Sequence, residues 1–133
     1  CMMSGLSGLI LKSENQQYEA PRLIGRFNAM NCALALALAQ SFGISVAVCK
    51  RACLSFAGVP GRLERYAHPS GAQIFIDYAH NAASFDAVLS TMRPEALRLV
   101  VLFGAGGDRD PARRPVMGAL AERYADTIII TTD

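Results

Sequence analysis

Long runs of like charge are missing from this chain of 133 residues. Thirteen Lys and Arg stand against eleven Asp and Glu, and no basic run exceeds the pair Arg113 and Arg114. Non-specific nucleic-acid binding draws its affinity from a dense basic face that neutralises phosphates, so nucleic acid is not expected as a partner. Lysine is scarce, at Lys12 and Lys50 only, and no G-x-x-x-x-G-K-[ST] phosphate loop occurs. The four cysteines, at positions 1, 32, 49 and 53, form no C-x-x-C pair and no Cys/His cluster of zinc-like spacing. Free thiols in a reducing cytoplasm are therefore expected, with no metal site. Cys32 reads as a small buried hydrophobe, and Cys49 and Cys53, four apart, share a helix face. The longest unbroken apolar stretch runs over residues 32–39, far short of the roughly twenty needed to cross a bilayer, so no membrane insertion is expected. No basic segment precedes an apolar one as in a secretory signal. The first residue is Cys, which suggests an internal piece of a longer protein. Internal repeats and low-complexity segments are also absent.

What is present is apolar: 52% of the residues are hydrophobic, enough for a globular chain of one small domain or two incomplete ones. Residues 6–13 read as a strand and 14–19 as a polar turn. Asn28 opens a helix to about 42, apolar nearly all round, which Gly43 ends. Ser45 caps a second helix over 46–57, closed by Gly58. Val59-Pro60-Gly61 then breaks the chain. Residues 62–67 and 73–78 flank a His-Pro-Ser-Gly turn and read as a hairpin. Ser84 caps a helix to Met92, and 97–103 is a continuous apolar strand of the kind buried on both faces. A glycine loop over 104–107 leads through Pro111 and Pro115 into a helix ending near Tyr124, and 127–132 is a β-branched strand. The order implies an α/β fold with a mostly parallel sheet. A domain boundary falls near Pro60, dividing 1–59 from 60–133, and neither part looks complete.

Four segments carry candidate chemistry. In Gly25-Arg26-Phe27-Asn28-Ala29-Met30-Asn31, Asn28 and Asn31 lie three apart at a helix start, so both amides can point the same way. A carboxamide pairs donor with acceptor, as the adenine edge does; an N-cap and a buried polar contact fit the same residues. Arg62, just after a rigid turn, can reach phosphate oxygens with a fixed fork or simply be a solvated loop residue. Asp77, Tyr78 and His80 follow an apolar strand, where ligands of open α/β sheets bind. The Asp can accept from two ribose hydroxyls or cap a helix. In Phe103-Gly104-Ala105-Gly106-Gly107-Asp108-Arg109-Asp110 the acidic residues would repel a pyrophosphate and the G-x-G-x-x-G spacing is missing. Arg109 between two carboxylates suits a zwitterionic substrate, although a turn held by local Asp bonds fits too.

Taken in order, GRFNAMN at 25–31, VPGRLE at 59–64, DYAH at 77–80, FGAGGDRD at 103–110 and RPVMG at 114–118 resemble the Mur ligases of peptidoglycan synthesis. The likeness is strongest to their MurE type and covers residues 21–133. It implies that 1–59 is the end of a central P-loop-type, ATP-binding domain and that 60–133 begins a Rossmann-like C-terminal domain. It implies ATP contacts from Asn28, Asn31, Arg62, Asp77, Tyr78 and His80, and contacts to the incoming amino acid from Arg109 and Asp133. The family reaction is phosphorylation of the D-glutamyl carboxylate of UDP-N-acetylmuramoyl-L-alanyl-D-glutamate, then attack on the acyl phosphate by a diamino acid, commonly meso-diaminopimelate. The P-loop, the carbamylated lysine, the ligands of Mg2+ and every catalytic residue would then lie outside this chain, which is expected to be inactive alone. The parent is expected to be a cytoplasmic monomer.

The family usually shows Thr-Pro after DYAH, where Asn81-Ala82 stand here, and often lysines after GDRD, where Pro111-Ala112-Arg113 stand. The first departure resembles cyanophycin synthetase, an amide ligase with the same core. A non-catalytic nucleotide-binding module and an isolated interaction domain are the alternatives from other classes.

Overall fold

The computed structural model describes residues 2–3, 5–13, 15–106 and 110–132. Its elements divide into two compact units, Cys1–Asp77 and Tyr78–Asp133, and together they form the expected α/β fold.

In the first unit, β1 (Met2–Met3), β2 (Leu9–Ser13) and β3 (Gln16–Ala20) make an antiparallel sheet in that order. β3 replaces the expected polar turn over 14–19. Its side chains alternate, with Tyr18 and Ala20 buried and Gln17 and Glu19 exposed. Period two with one wet face is a strand pattern even where most residues are polar. Helix α1 (Arg26–Ser41) starts two residues before the predicted position, so Asn28 is not its N-cap. Gly25 holds that position at φ 89°, without a side-chain cap. The helix stops where Gly43 takes φ 79°, and α2 (Val46–Ser55) begins as read, with the Ser45 hydroxyl accepting the Val48 amide at 3.4 Å. Leu9, Leu11, Tyr18, Ala20, Ala29, Cys49 and Cys53 form the core.

The opposite face of α1 corrects the expectation of burial all round. Met30, Leu34, Leu38 and Phe42, four apart in succession, are 57% exposed or more. Cys49 and Cys53 do share a buried face of α2, but the thiol that meets Cys53 is that of Cys32 on α1, 3.9 Å away. The unit closes with the predicted hairpin, β4 (Glu64–Ala67) against β5 (Gln73–Ile76). Its turn is tied by His68 N–H to Ala72 O and by Gly71 N–H to His68 O, both at 2.9 Å.

The second unit holds α3 (Ala82–Met92), β6 (Val100–Gly104), α4 (Arg113–Tyr124) and β7 (Thr127–Thr131). β6 and β7 pair in parallel, Val100 with Thr127 through Gly104 with Thr131, which requires the α4 crossover between them. Phe85 and Leu89 of α3, Val101 of β6, and Met117 and Ala121 of α4 form its core. β6 was expected to be buried on both faces. Val101 is buried, but Leu102 is 64% exposed, so only one face of this pair is covered. Among the described residues no helix is long and apolar enough to cross a membrane.

Candidate functional site

Val59, Pro60, Gly61 and Arg62 form a turn closed by Arg62 N–H to Val59 O at 3.0 Å. Proline at the second position fixes φ, and Gly61 at the third takes φ 67°, the arrangement of a type II turn. Leu63 follows at φ 47°, the one positive-φ residue with a side chain among those described, and is buried. Two carboxylates hold this conformation. Glu64 Oε2 accepts Gly61 N–H at 2.9 Å, and Asp77 Oδ2 accepts Leu63 N–H at 2.8 Å. The Tyr66 hydroxyl, 2.6 Å from Glu64 Oε1, and then the Gly61 amide hold the Glu64 carboxyl below the usual carboxylate range. Arg62 and Asp77, fifteen residues apart in sequence, thus belong to one turn.

The asparagine pair sits on the first two turns of α1. Asn28 is half-buried, and its Nδ2 donates to Ile24 O at 2.9 Å. That fixes its amide orientation and leaves Oδ1 and one N–H. Asn31 is exposed. A groove on the first unit, lined by Lys12, Tyr18, Arg26, Met30 and Gln40 among others, contains none of the predicted contacts in its described lining. It is shallow and largely apolar, so the hydrogen-bonded turn is the better candidate.

In the second unit Tyr78 and His80 lie together, ring centroids 5.3 Å apart, with His80 Nδ1 3.1 Å from Tyr78 O. Both are exposed. Asn81 caps α3: its Oδ1 accepts Ser84 N–H at 2.9 Å, and Ser84 Oγ answers the Asn81 amide at 3.4 Å. Ser84, expected as the cap, is the third helical residue of this capping box. The capping also accounts for the departure from Thr-Pro. Threonine caps by the same bond, and proline suits the first helical position. Asn81-Ala82 is an equivalent helix start, so it no longer favours a different ligase.

Sequence reading missed Arg113 and Arg114. Arg113 Nη1 donates to His80 O at 3.0 Å and Nη2 to Gly106 O at 2.6 Å, while Arg114 Nε donates to Ala105 O at 2.9 Å. One guanidinium thereby joins the end of the DYAH segment to the glycine loop. The acceptors are backbone carbonyls, which leave no trace in side-chain patterns. Arg109 and Asp133, the expected amino-acid contacts, lie outside the described residues. Among the described residues no group of three or more His, Cys, Asp or Glu is placed to hold a metal ion.

Two α/β units, one built around a carboxylate-held Arg turn and the other around a strand, glycine loop and helix, match a known class. Residues 61–133, over half of the chain, match the family described as Mur ligase, glutamate ligase domain. The chain belongs to the Mur ligase family. It is 42% identical over 113 residues to the UDP-N-acetylmuramoyl-L-alanyl-D-glutamate--2,6-diaminopimelate ligase of Brucella melitensis, covering 84% of this chain and 23% of that protein. To the ligase of the same name from Geobacter metallireducens it is 37% identical over 132 residues, 98% of this chain and 26% of the relative. A solved structure of a ligase of that name superposes with a TM-score of 0.61 at 30% identity, covering 97% of this chain and 27% of the other. The chain spans about a quarter of the length of the curated relatives it matches.

Proposed function

We propose that this chain is part of an ATP-dependent amide ligase that joins a diamino acid, meso-diaminopimelate, to UDP-N-acetylmuramoyl-L-alanyl-D-glutamate. The observation that carries the reading is the turn at 59–63, where the Asp77 carboxylate and the residue bearing the Arg62 guanidinium are held together inside the family-matched segment. In this reading Arg62 meets ATP phosphate or ribose oxygens, Asp77 a ribose hydroxyl, and Asn28 and Asn31 the adenine edge. Tyr78 and His80 flank the nucleotide, and Arg109 and Asp133 serve the incoming amino acid. The names of the relatives support the substrates.

ATP supplies the phosphoryl group that activates the D-glutamyl carboxylate, and Mg2+, with ligands outside these residues, offsets charge on the phosphates. The junction of central and C-terminal domains falls near Pro60, and the parent works as a cytoplasmic monomer. The test is ADP release by a full-length protein carrying this chain. Release should require the muramyl dipeptide and meso-diaminopimelate together. Equal release with lysine would overturn the choice of amino acid, and equal release with unrelated acceptors would overturn the reaction.

A further inference from the structure

We propose that Asp77 is a positioning residue for Arg62, acting through the backbone of Leu63, in addition to any contact with nucleotide. This rests on the reading of the turn given above. Three consecutive amides are committed to fixed acceptors: Gly61 N–H to Glu64 Oε2, Arg62 N–H to Val59 O, and Leu63 N–H to Asp77 Oδ2. The middle residue is Arg62, so its Cα and the direction of its side chain are set by bonds on both sides.

The third bond matters most. Leu63 holds φ 47° although it carries a β-carbon, and its side chain is 4% exposed. A left-handed conformation in such a residue persists only where its surroundings enforce it. Burial fixes the side chain, and the charged acceptor fixes the amide. Charge-assisted hydrogen bonds of this kind are stronger than neutral ones. Asp77 directly follows β5 (Gln73–Ile76), so the hold ties the turn to a paired strand. One oxygen is spent on that bond, while Oδ1 has no hydrogen-bond partner among the described residues. A carboxylate so arranged leaves a single oxygen for a ligand and fixes the backbone from which the Arg62 side chain projects.

The experiment uses the full-length ligase with Arg62→Ala, Asp77→Ala, Asp77→Asn and the double variant R62A/D77A. Amide exchange at Leu63 should quicken by about tenfold or more in D77A. It should quicken less in D77N, whose carbonyl oxygen can still accept the bond. R62A and D77A should each raise the KM for ATP. D77A should raise it by a smaller factor on the R62A background than in the wild type, because the part of its effect that runs through Arg62 is already gone while the loss of its own ribose contact remains. Unchanged Leu63 exchange in D77A, or effects on KM that multiply, would overturn the positioning role. Faster exchange with an ATP KM indifferent to R62A would overturn the nucleotide reading of the turn and leave the hold on Leu63 standing. If D77A fails to fold, D77L with R62A/D77L, close to aspartate in shape and equally without an acceptor, supplies the same comparison.

Discussion

Arg93 and Asp126 meet at 2.6 Å, and the carboxylate oxygen that takes the guanidinium also accepts Leu99 N–H at 2.7 Å. Arg93 further donates to Tyr124 O and Ala96 O, so this pair fastens the end of α3, the start of β6 and the end of α4. Arg93, first, and the Leu99 amide hold the Asp126 carboxyl below its usual range. A depressed carboxylate stabilises the fold above its unfolded value and loses that contribution as pH falls through the folded one. The melting temperature should therefore fall on acidification below about pH 4, and fall less in Asp126→Asn. Thermal melts of both proteins across that window check it.

Asn81 should matter to stability through capping alone. Asn81→Ala is expected to cost about 1 kcal/mol, as loss of an N-cap does. The pair Asn81→Thr with Ala82→Pro should be close to neutral. Urea unfolding of the three variants measures both, and a large loss in the Thr-Pro variant would refute the equivalence of the two helix starts.

Burial, with the Cys53 thiol second, pushes the Cys32 thiol up to about 11. A thiol raised in the folded state favours the protonated fold, so its contribution is whole below the unfolded value. That contribution is lost as pH rises from there to about 11. Cys32 should be alkylated slowly at pH 8 in native protein and rapidly after denaturation, since the thiolate is the reactive form. Mass spectrometry of iodoacetamide-treated protein at several pH values reads this directly. Fast labelling of Cys32 at pH 8 in the native state would contradict it.

The two asparagines should separate by experiment. On the adenine contact proposed above, Asn31→Ala should raise the KM for ATP in the full-length protein and, because Asn31 is exposed, leave the melting temperature unchanged. Asn28 also bonds Ile24 O, so Asn28→Ala should raise the KM and cost about 1 kcal/mol of stability as well. Nucleotide titrations paired with thermal melts distinguish them.

Local chemistry made much of this fold legible. Ser45, the His68-Pro69-Ser70-Gly71 turn and the β-branched run from Thr127 each announce an element by capping, turn geometry or propensity, and the structure keeps them. The failures share a physical cause. β3 was hidden because its polar residues outnumber the two it buries, and the start of α1 because Gly25 offers no capping side chain. Exposure of Leu34 and Leu102 depends on what packs nearby, which periodicity does not encode. At the candidate site, Pro60-Gly61 pointed to the turn, but the bond from Asp77 to a backbone amide and those from Arg113 to two carbonyls required coordinates. The contact of Cys32 with Cys53 spans 21 residues and two helices, and spacing rules look no further than one.

Met30, Leu34, Leu38 and Phe42 trace a strip about 18 Å long down α1, at 1.5 Å per residue. In water such a strip behaves as an adhesive. Taken by themselves, these 133 residues should clump as concentration rises, and detergent will disperse them where nucleotide does not. A binding assay on these residues alone would then register stickiness before affinity.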